Sequence, residues 1–208
     1  MSGFIKKAGA GKRGFTLIEL IISIAIFAFM TALLVAKYGT FNQSVLLTNL
    51  AYDVASVIRT AQSYGLSVRA GSDSCDTDEN RFRCAYGVTF DSNTPEEFVL
   101  YSVLGDKIDP DTFSSDNATT PIETYTMKRG AHIYAVCYDS GSSCAPVEGG
   151  KLDIAFLRPN PNAIMCFNGA CNTTGYSEIY IKSPSGERRS VIIRGNGQIS
   201  VNDRLSNL

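Results

Sequence analysis

A single carboxylate interrupts the longest apolar run of this chain. From Phe15 to Ala36 the sequence reads FTLIELIISIAIFAFMTALLVA, and Glu19 is its only charged residue. An acid in a membrane-spanning helix costs on the order of 2.5–3.5 kcal/mol at the bilayer centre and less near an end. Such a group either has a role or stays hydrated at an interface. The chemistry open to it is ion pairing, since an unpaired charge is costly in a low-dielectric setting and a paired one is tolerated. Just before the run stand Lys6, Lys7, Lys12 and Arg13, with no acid among them, and Gly14 adjoins Phe15.

The other residues that could do chemistry are sparser. Cys75, Cys84, Cys137, Cys144, Cys166 and Cys171 fall as three close pairs, none with the C-x-x-C spacing of zinc ribbons and redox motifs. An even count in an exported chain favours disulfides. The spacing favours local pairing, Cys75–Cys84, Cys137–Cys144 and Cys166–Cys171, with free buried thiols as the alternative. His132 is the one histidine and lies among alternating apolar residues. It reads as structural, because general-base work needs an oriented partner and a nearby nucleophile. Asp73, Asp76, Asp78 and Glu79 begin like a calcium loop, but Arg81 stands where such a loop needs glycine and Gly87 where it needs a bidentate acid. No metal and no cofactor is expected. No nucleophile-elbow, zinc-protease or phosphate-loop motif occurs, and the reading is not an enzyme.

Arg188, Arg189, Arg194 and Arg204 form a basic cluster that could meet phosphates. Glu187 and Asp203 dilute it, and no aromatic residues interleave in sequence. The formal net charge is −1, and without the four cations of the N-terminus the remainder carries −5. That balance argues against a general nucleic-acid binder and leaves DNA as a lesser alternative partner.

These residues are positioned by few elements. About 22 apolar residues at about 1.5 Å rise make a helix of about 33 Å, enough to cross a bilayer core. The preceding cations predict a cytoplasmic N-terminus and an exported C-terminal part. A secretory signal has a shorter apolar core and a small-x-small site. A plain anchor fits the length but does not account for Glu19. Beyond Gly39, Leu47, Leu50, Val54, Val57, Ile58, Ala61, Tyr64 and Val68 recur at three- and four-residue steps, predicting a helix with one face on a sheet, ended by Gly71–Ser74. Strands are predicted at 85–90 and 98–104 as a hairpin, and at 123–128, 132–138, 152–157, 163–167, 177–182, 190–194 and 198–201. Residues 105–121 read as a long polar loop. The expected class is α+β, a long N-terminal helix on an antiparallel sheet domain.

The segment Lys12-Arg13-Gly14-Phe15-Thr16-Leu17-Ile18-Glu19-Leu20 resembles the prepilin-peptidase signal of type IV pilins and type II secretion pseudopilins. The resemblance implies cleavage between Gly14 and Phe15, N-methylation of Phe15, and a salt bridge from Glu19 to the new amine of a neighbouring subunit. It implies a leader at 1–14, a membrane and assembly helix at 15–36, its exported amphipathic continuation at 37–70 and a β-rich domain at 71–208. The implied partners are other pilin or pseudopilin subunits, prepilin peptidase, the inner membrane and an assembly platform. The exported part is similar to the H-type pseudopilins and the fimbrial T minor pilins. The residues behind this are the helix end Arg59–Arg69, Tyr86-Gly87-Val88-Thr89-Phe90, Ile179-Tyr180-Ile181, Gly186, Val191-Ile192-Ile193 and Gly197-Gln198-Ile199. The six cysteines depart from that group. A filament-tip subunit binding a ligand or DNA is the alternative role.

Overall fold

The computed structural model describes residues 14–67, 83–105, 108, 120–139 and 147–202. The fold is α+β. Helix α1 runs Leu17–Leu66, followed by β1 Cys84–Asp91, β2 Glu97–Leu104, β3 Thr120–Thr126, β4 His132–Asp139, β5 Lys151–Phe156, β6 Ala163–Phe167, β7 Ala170–Asn172, β8 Tyr176–Lys182, β9 Arg188–Arg194 and β10 Ile199–Asn202. Contacts divide the chain into two units, Met1–Asn42 and Gln43–Leu208.

In the first unit, α1 starts where Thr16 can cap it. The Glu19 amide donates to Thr16 Oγ1 at 3.3 Å and the Leu20 amide to the Thr16 carbonyl at 3.2 Å. A threonine at the cap with a glutamate three residues on is the capping-box arrangement, which supplies partners for first-turn amides. The mid-helix hydroxyls bond back to their own helix, Ser23 to the Glu19 carbonyl and Thr31 to those of Phe27 and Ala28. No polar side chain in this stretch other than Glu19 carries a charge.

In the second unit, α1 and two antiparallel sheets share one core. The six-stranded sheet has the order β3-β2-β1-β5-β6-β7 and the four-stranded sheet the order β10-β9-β8-β4. The antiparallel sheet domain expected from the sequence is thus built of two sheets. Alternation shows which side chains face a core, but the chain switches sheets at β4, between β3 and β5 of the larger one. The expected β1–β2 hairpin forms, with Phe90 opposite Phe98. The remaining predicted strands are present with shifted ends. The short β7, which pairs with β6, was not expected. The loop expected over 105–121 ends earlier, since Thr120 and Pro121 already belong to β3. Proline is tolerated there because β3 is an edge strand.

The core joins Leu47, Val54, Ile58 and Ala61 of α1 to Phe90, Leu100, Ile154 and Phe156 of one sheet and Ile133, Ile179, Ile181, Val191 and Ile193 of the other. Leu50, Val57 and Tyr64 pack at its margin, while Ala51 and Ala55, outside the expected stripe, are fully buried. Gly65 shows why small residues matter on this face: a Cβ there would lie 2.4 Å from the Phe156 carbonyl oxygen. The described helix ends at Leu66, short of residue 70, where Ser67 Oγ turns onto the Tyr64 carbonyl. Val68 and the stop signal at 71–74 lie outside the described residues.

The outer face of the six-stranded sheet is also apolar. Ala85, Tyr101, Val103, Ala155 and Cys166 form a second cluster with Ile108. Asp153 is buried on this face, opposite Thr89 and Cys166 in the register. Burial, and then the Asp153 carboxylate, push the Tyr101 phenol well above its ordinary value.

Candidate functional site

The N-terminal segment joins three features within a few residues. Gly14 is open, with nothing within 4 Å of where a Cβ would stand. Phe15 is 80% exposed. Glu19 lies on the first turn of α1, and its Oε2 accepts from Thr16 Oγ1 at 3.4 Å. The Gly14–Phe15 bond is therefore uncovered.

The segment behind them is apolar around its whole circumference. Leu17–Ala36 has a mean hydropathy of 2.6 and none of it is buried. Phe15, Leu17, Ile18, Phe27, Phe29, Leu34 and Val35 are each more than 60% exposed. Contiguous apolar surface on this scale is not left to water and calls for lipid or other protein. One helix of this kind is consistent with a bilayer span by length and composition.

The described cysteines are in disulfides. Cys166 and Cys171 are bonded to each other and stand directly opposite in the β6–β7 register. Cys84 and Cys137 are also in disulfides, and no described cysteine is free. Cys75 and Cys144 lie outside the described residues, as do Asp73, Asp76, Asp78 and Glu79. Among the described residues no group of three or more His, Cys, Asp or Glu side chains converges as a metal site would. His132 is half-buried at the start of β4.

The arginine cluster divides. Arg189 donates from Nε to Thr48 Oγ1 at 3.1 Å and from Nη2 to Ser44 Oγ at 2.8 Å, tying β9 to α1. Arg188 instead lies over the Tyr134 ring, 4.9 Å from its centroid, with Lys182 over the same ring at 5.1 Å. Arg194 lies over Tyr176 at 6.0 Å. Arg204 is outside the described residues. The sequence had suggested no aromatic interleaving. Pairing of β8 with β4 and β9 supplies it, a juxtaposition visible only in the register.

A buried polar group on β8 was missed. Glu178, 7% exposed, accepts from Ser190 Oγ and from Tyr180 Oη at 2.9 Å. Burial first, and then the bond to Glu178, raise the Tyr180 phenol. The carboxylate is satisfied within the sheet, so the group reads as structural.

Residues 9–35 match the family model described as the prokaryotic N-terminal methylation motif. The match lies in the N-terminal region, takes in Gly14, Phe15 and Glu19, and supports a type IV pilin-like chain, prepilin-like at its N-terminus. The apolar helix and the motif together fit an inner-membrane-anchored pilin. No significant match was found among curated proteins or among solved structures.

Proposed function

We propose that this chain is a structural subunit, of the minor kind, of a type IV pilus or type II secretion pseudopilus. The observation that carries the reading is the methylation motif joined to an uncovered apolar helix that holds one acid on its first turn. Prepilin peptidase cuts between Gly14 and Phe15 and Phe15 is methylated. Its amine pairs with Glu19 of a neighbouring subunit as the helix leaves lipid for the filament. A charge pair in that low-dielectric setting sets register, because a misplaced partner leaves two buried charges unpaired. The β-rich part is exported beyond the inner membrane, where Cys75–Cys84 and Cys137–Cys144 join Cys166–Cys171 as local disulfides. The chain contributes no catalytic group to this role and requires no cofactor.

The closing pattern of β8–β10 supports the H-type pseudopilin or fimbrial T group as the subclass. A tip subunit that captures a ligand or DNA has one observation in its favour, the cations over Tyr134 and Tyr176. The acidic remainder weighs against it. The test of the structural role is fractionation of cells that make the tagged chain together with the assembly machinery. The chain is expected in the sheared-filament fraction, dependent on prepilin peptidase. Confinement to the membrane fraction with the machinery active would contradict it.

A further inference from the structure

We propose that Thr16 is a positioning residue for maturation: its cap holds the start of α1 at Leu17 and keeps the Gly14–Phe15 bond out of the helix, where a peptidase can take it extended. The proposal rests on the reading that the chain is cut at that bond, and it concerns the first unit alone. Composition does not by itself place the helix start. Phe15 belongs to the same apolar run as Leu17, and a glycine such as Gly14 caps a helix about as well as a threonine does. Two starts therefore compete, one at Leu17 with Thr16 as its cap and one at Phe15 with Gly14 as its cap.

The hydrogen bonds decide between them. The Glu19 amide donates to Thr16 Oγ1 at 3.3 Å, the Leu20 amide donates to the Thr16 carbonyl at 3.2 Å, and Thr16 Oγ1 donates to Glu19 Oε2 at 3.4 Å. A capping side chain meets an amide of the first turn only while its own backbone angles are non-helical. In a helix begun at Phe15, Thr16 would be the second helical residue and the Glu19 amide would turn to the Phe15 carbonyl, so the cap bond would be given up. The observed start leaves Gly14, Phe15 and Thr16 outside α1. Nothing lies within 4 Å of where a Cβ on Gly14 would stand, and Phe15 is exposed. Among the described residues, no packing shares this task with the cap.

The place of the start matters because a helical backbone spends its amides and carbonyls on its own ladder. A peptide bound in extended form offers those same groups to its partner. A bond cut beside the first turn is therefore open to recognition only when the helix begins beyond it. Residues 9–35, which match the methylation motif, contain both the bond and the cap. Threonine suits the position, since aspartate would cap as well but would add a second charge to an apolar segment. Two helix starts of similar free energy also make the choice sensitive to one hydroxyl.

The test follows the full chain in detergent micelles with purified prepilin peptidase, by mass spectrometry of the product. Thr16→Val removes the acceptor at nearly constant volume. It is expected to raise KM several-fold with kcat little changed, because a smaller share of the substrate has the competent helix start. Thr16→Ser and Thr16→Asn, both capping residues, are expected to restore most of the wild-type KM. In isotopically labelled chain the carbon shifts of Phe15 and Thr16 should move toward helical values in Thr16→Val, a readout that needs no peptidase. The shifts of Phe15 in Thr16→Asn should stay those of wild type. Equal KM for Thr16→Val and wild type overturns the proposal. So does a Thr16→Val chain that keeps the wild-type shift at Phe15. So does a poorly cut Thr16→Asn chain with the wild-type helix start, which would mean that the peptidase reads the hydroxyl itself. A wild-type chain that is cut elsewhere, or not at all, overturns the cleavage reading, an outcome distinct from all of these.

Discussion

The hydroxyl of Thr16 and the carboxylate of Glu19 lie 3.4 Å apart on the first turn of α1, while the Glu19 amide donates back to the same hydroxyl. Before any neighbour is present, the acid therefore has a local partner that holds it toward the helix start. This lowers the difficulty of keeping a charge in an apolar segment and leaves the carboxylate one turn from Phe15.

Glu19→Ala is expected to leave the β-rich part folded and the chain inserted, and to impair filament incorporation. Insertion should become easier, because the desolvation cost of the acid disappears. In the proposed assembly the amine of Phe15 would lose its partner, and leaving one member of a low-dielectric pair alone costs roughly 3–5 kcal/mol. At about 1.4 kcal/mol per decade this shifts an assembly equilibrium a hundredfold or more. Comparison of membrane and sheared-filament fractions checks it. Equal incorporation at equal membrane levels would mean that Glu19 is only a hydrated interfacial residue.

Gly197→Ala should destabilise the β-rich part. Gly197 has a φ of 82°, and a Cβ there would stand 2.0 Å from the Pro161 carbonyl oxygen, which also accepts from Gln62 Nε2. Backbone strain and loss of this junction are together worth roughly 2 kcal/mol or more. Denaturant unfolding reads the difference, and a midpoint equal to wild type would contradict the packing described.

Replacing Cys166 and Cys171 together by serine should cost about 2 kcal/mol, given the sequence separation of 5. The loss is confined to the β6–β7 edge, so hydrogen exchange there should rise while the centre of the sheet is unchanged. Global unfolding would show that the bridge holds more than its own hairpin.

Alkaline pH should destabilise the fold through its tyrosines. Burial, and then the bond to Glu123, raise Tyr125 to about 12 from an ordinary value of 10.0. Tyr101 and Tyr180 are raised as well. A raised folded value means that the stabilisation is complete below pH 10 and is lost as pH climbs from about 10 through about 12. Ultraviolet titration should show these phenolates forming later in the folded chain than in denaturant. Glu123→Gln should bring Tyr125 down.

Much of this was legible in the residues. The apolar run, broken by charge only at Glu19, marked the first half of α1, and three- and four-residue spacing marked the face that carries Leu47, Val54 and Ile58. Alternation with glycine breaks marked nine of the strands. What was hidden depends on long-range pairing. The division into two sheets turns on β4 pairing with β8 and not with β3, which no local pattern records. Ala51 and Ala55 were overlooked because small residues carry a weak hydrophobic signal, although the close helix contact requires them. The meeting of Tyr134 with Lys182 and Arg188 follows from that same pairing. At the N-terminus the position of Glu19 was readable, but its bond to Thr16 was not.

The central claim is that the chain is made as a precursor and matured at one bond. Mass spectrometry of the chain's N-terminus, purified from cells that express prepilin peptidase, tests it most directly. The account predicts a mature protein that begins at Phe15 and carries one methyl group on its amine. A protein that still begins at Met1, or one that begins beyond Ala36, would contradict it.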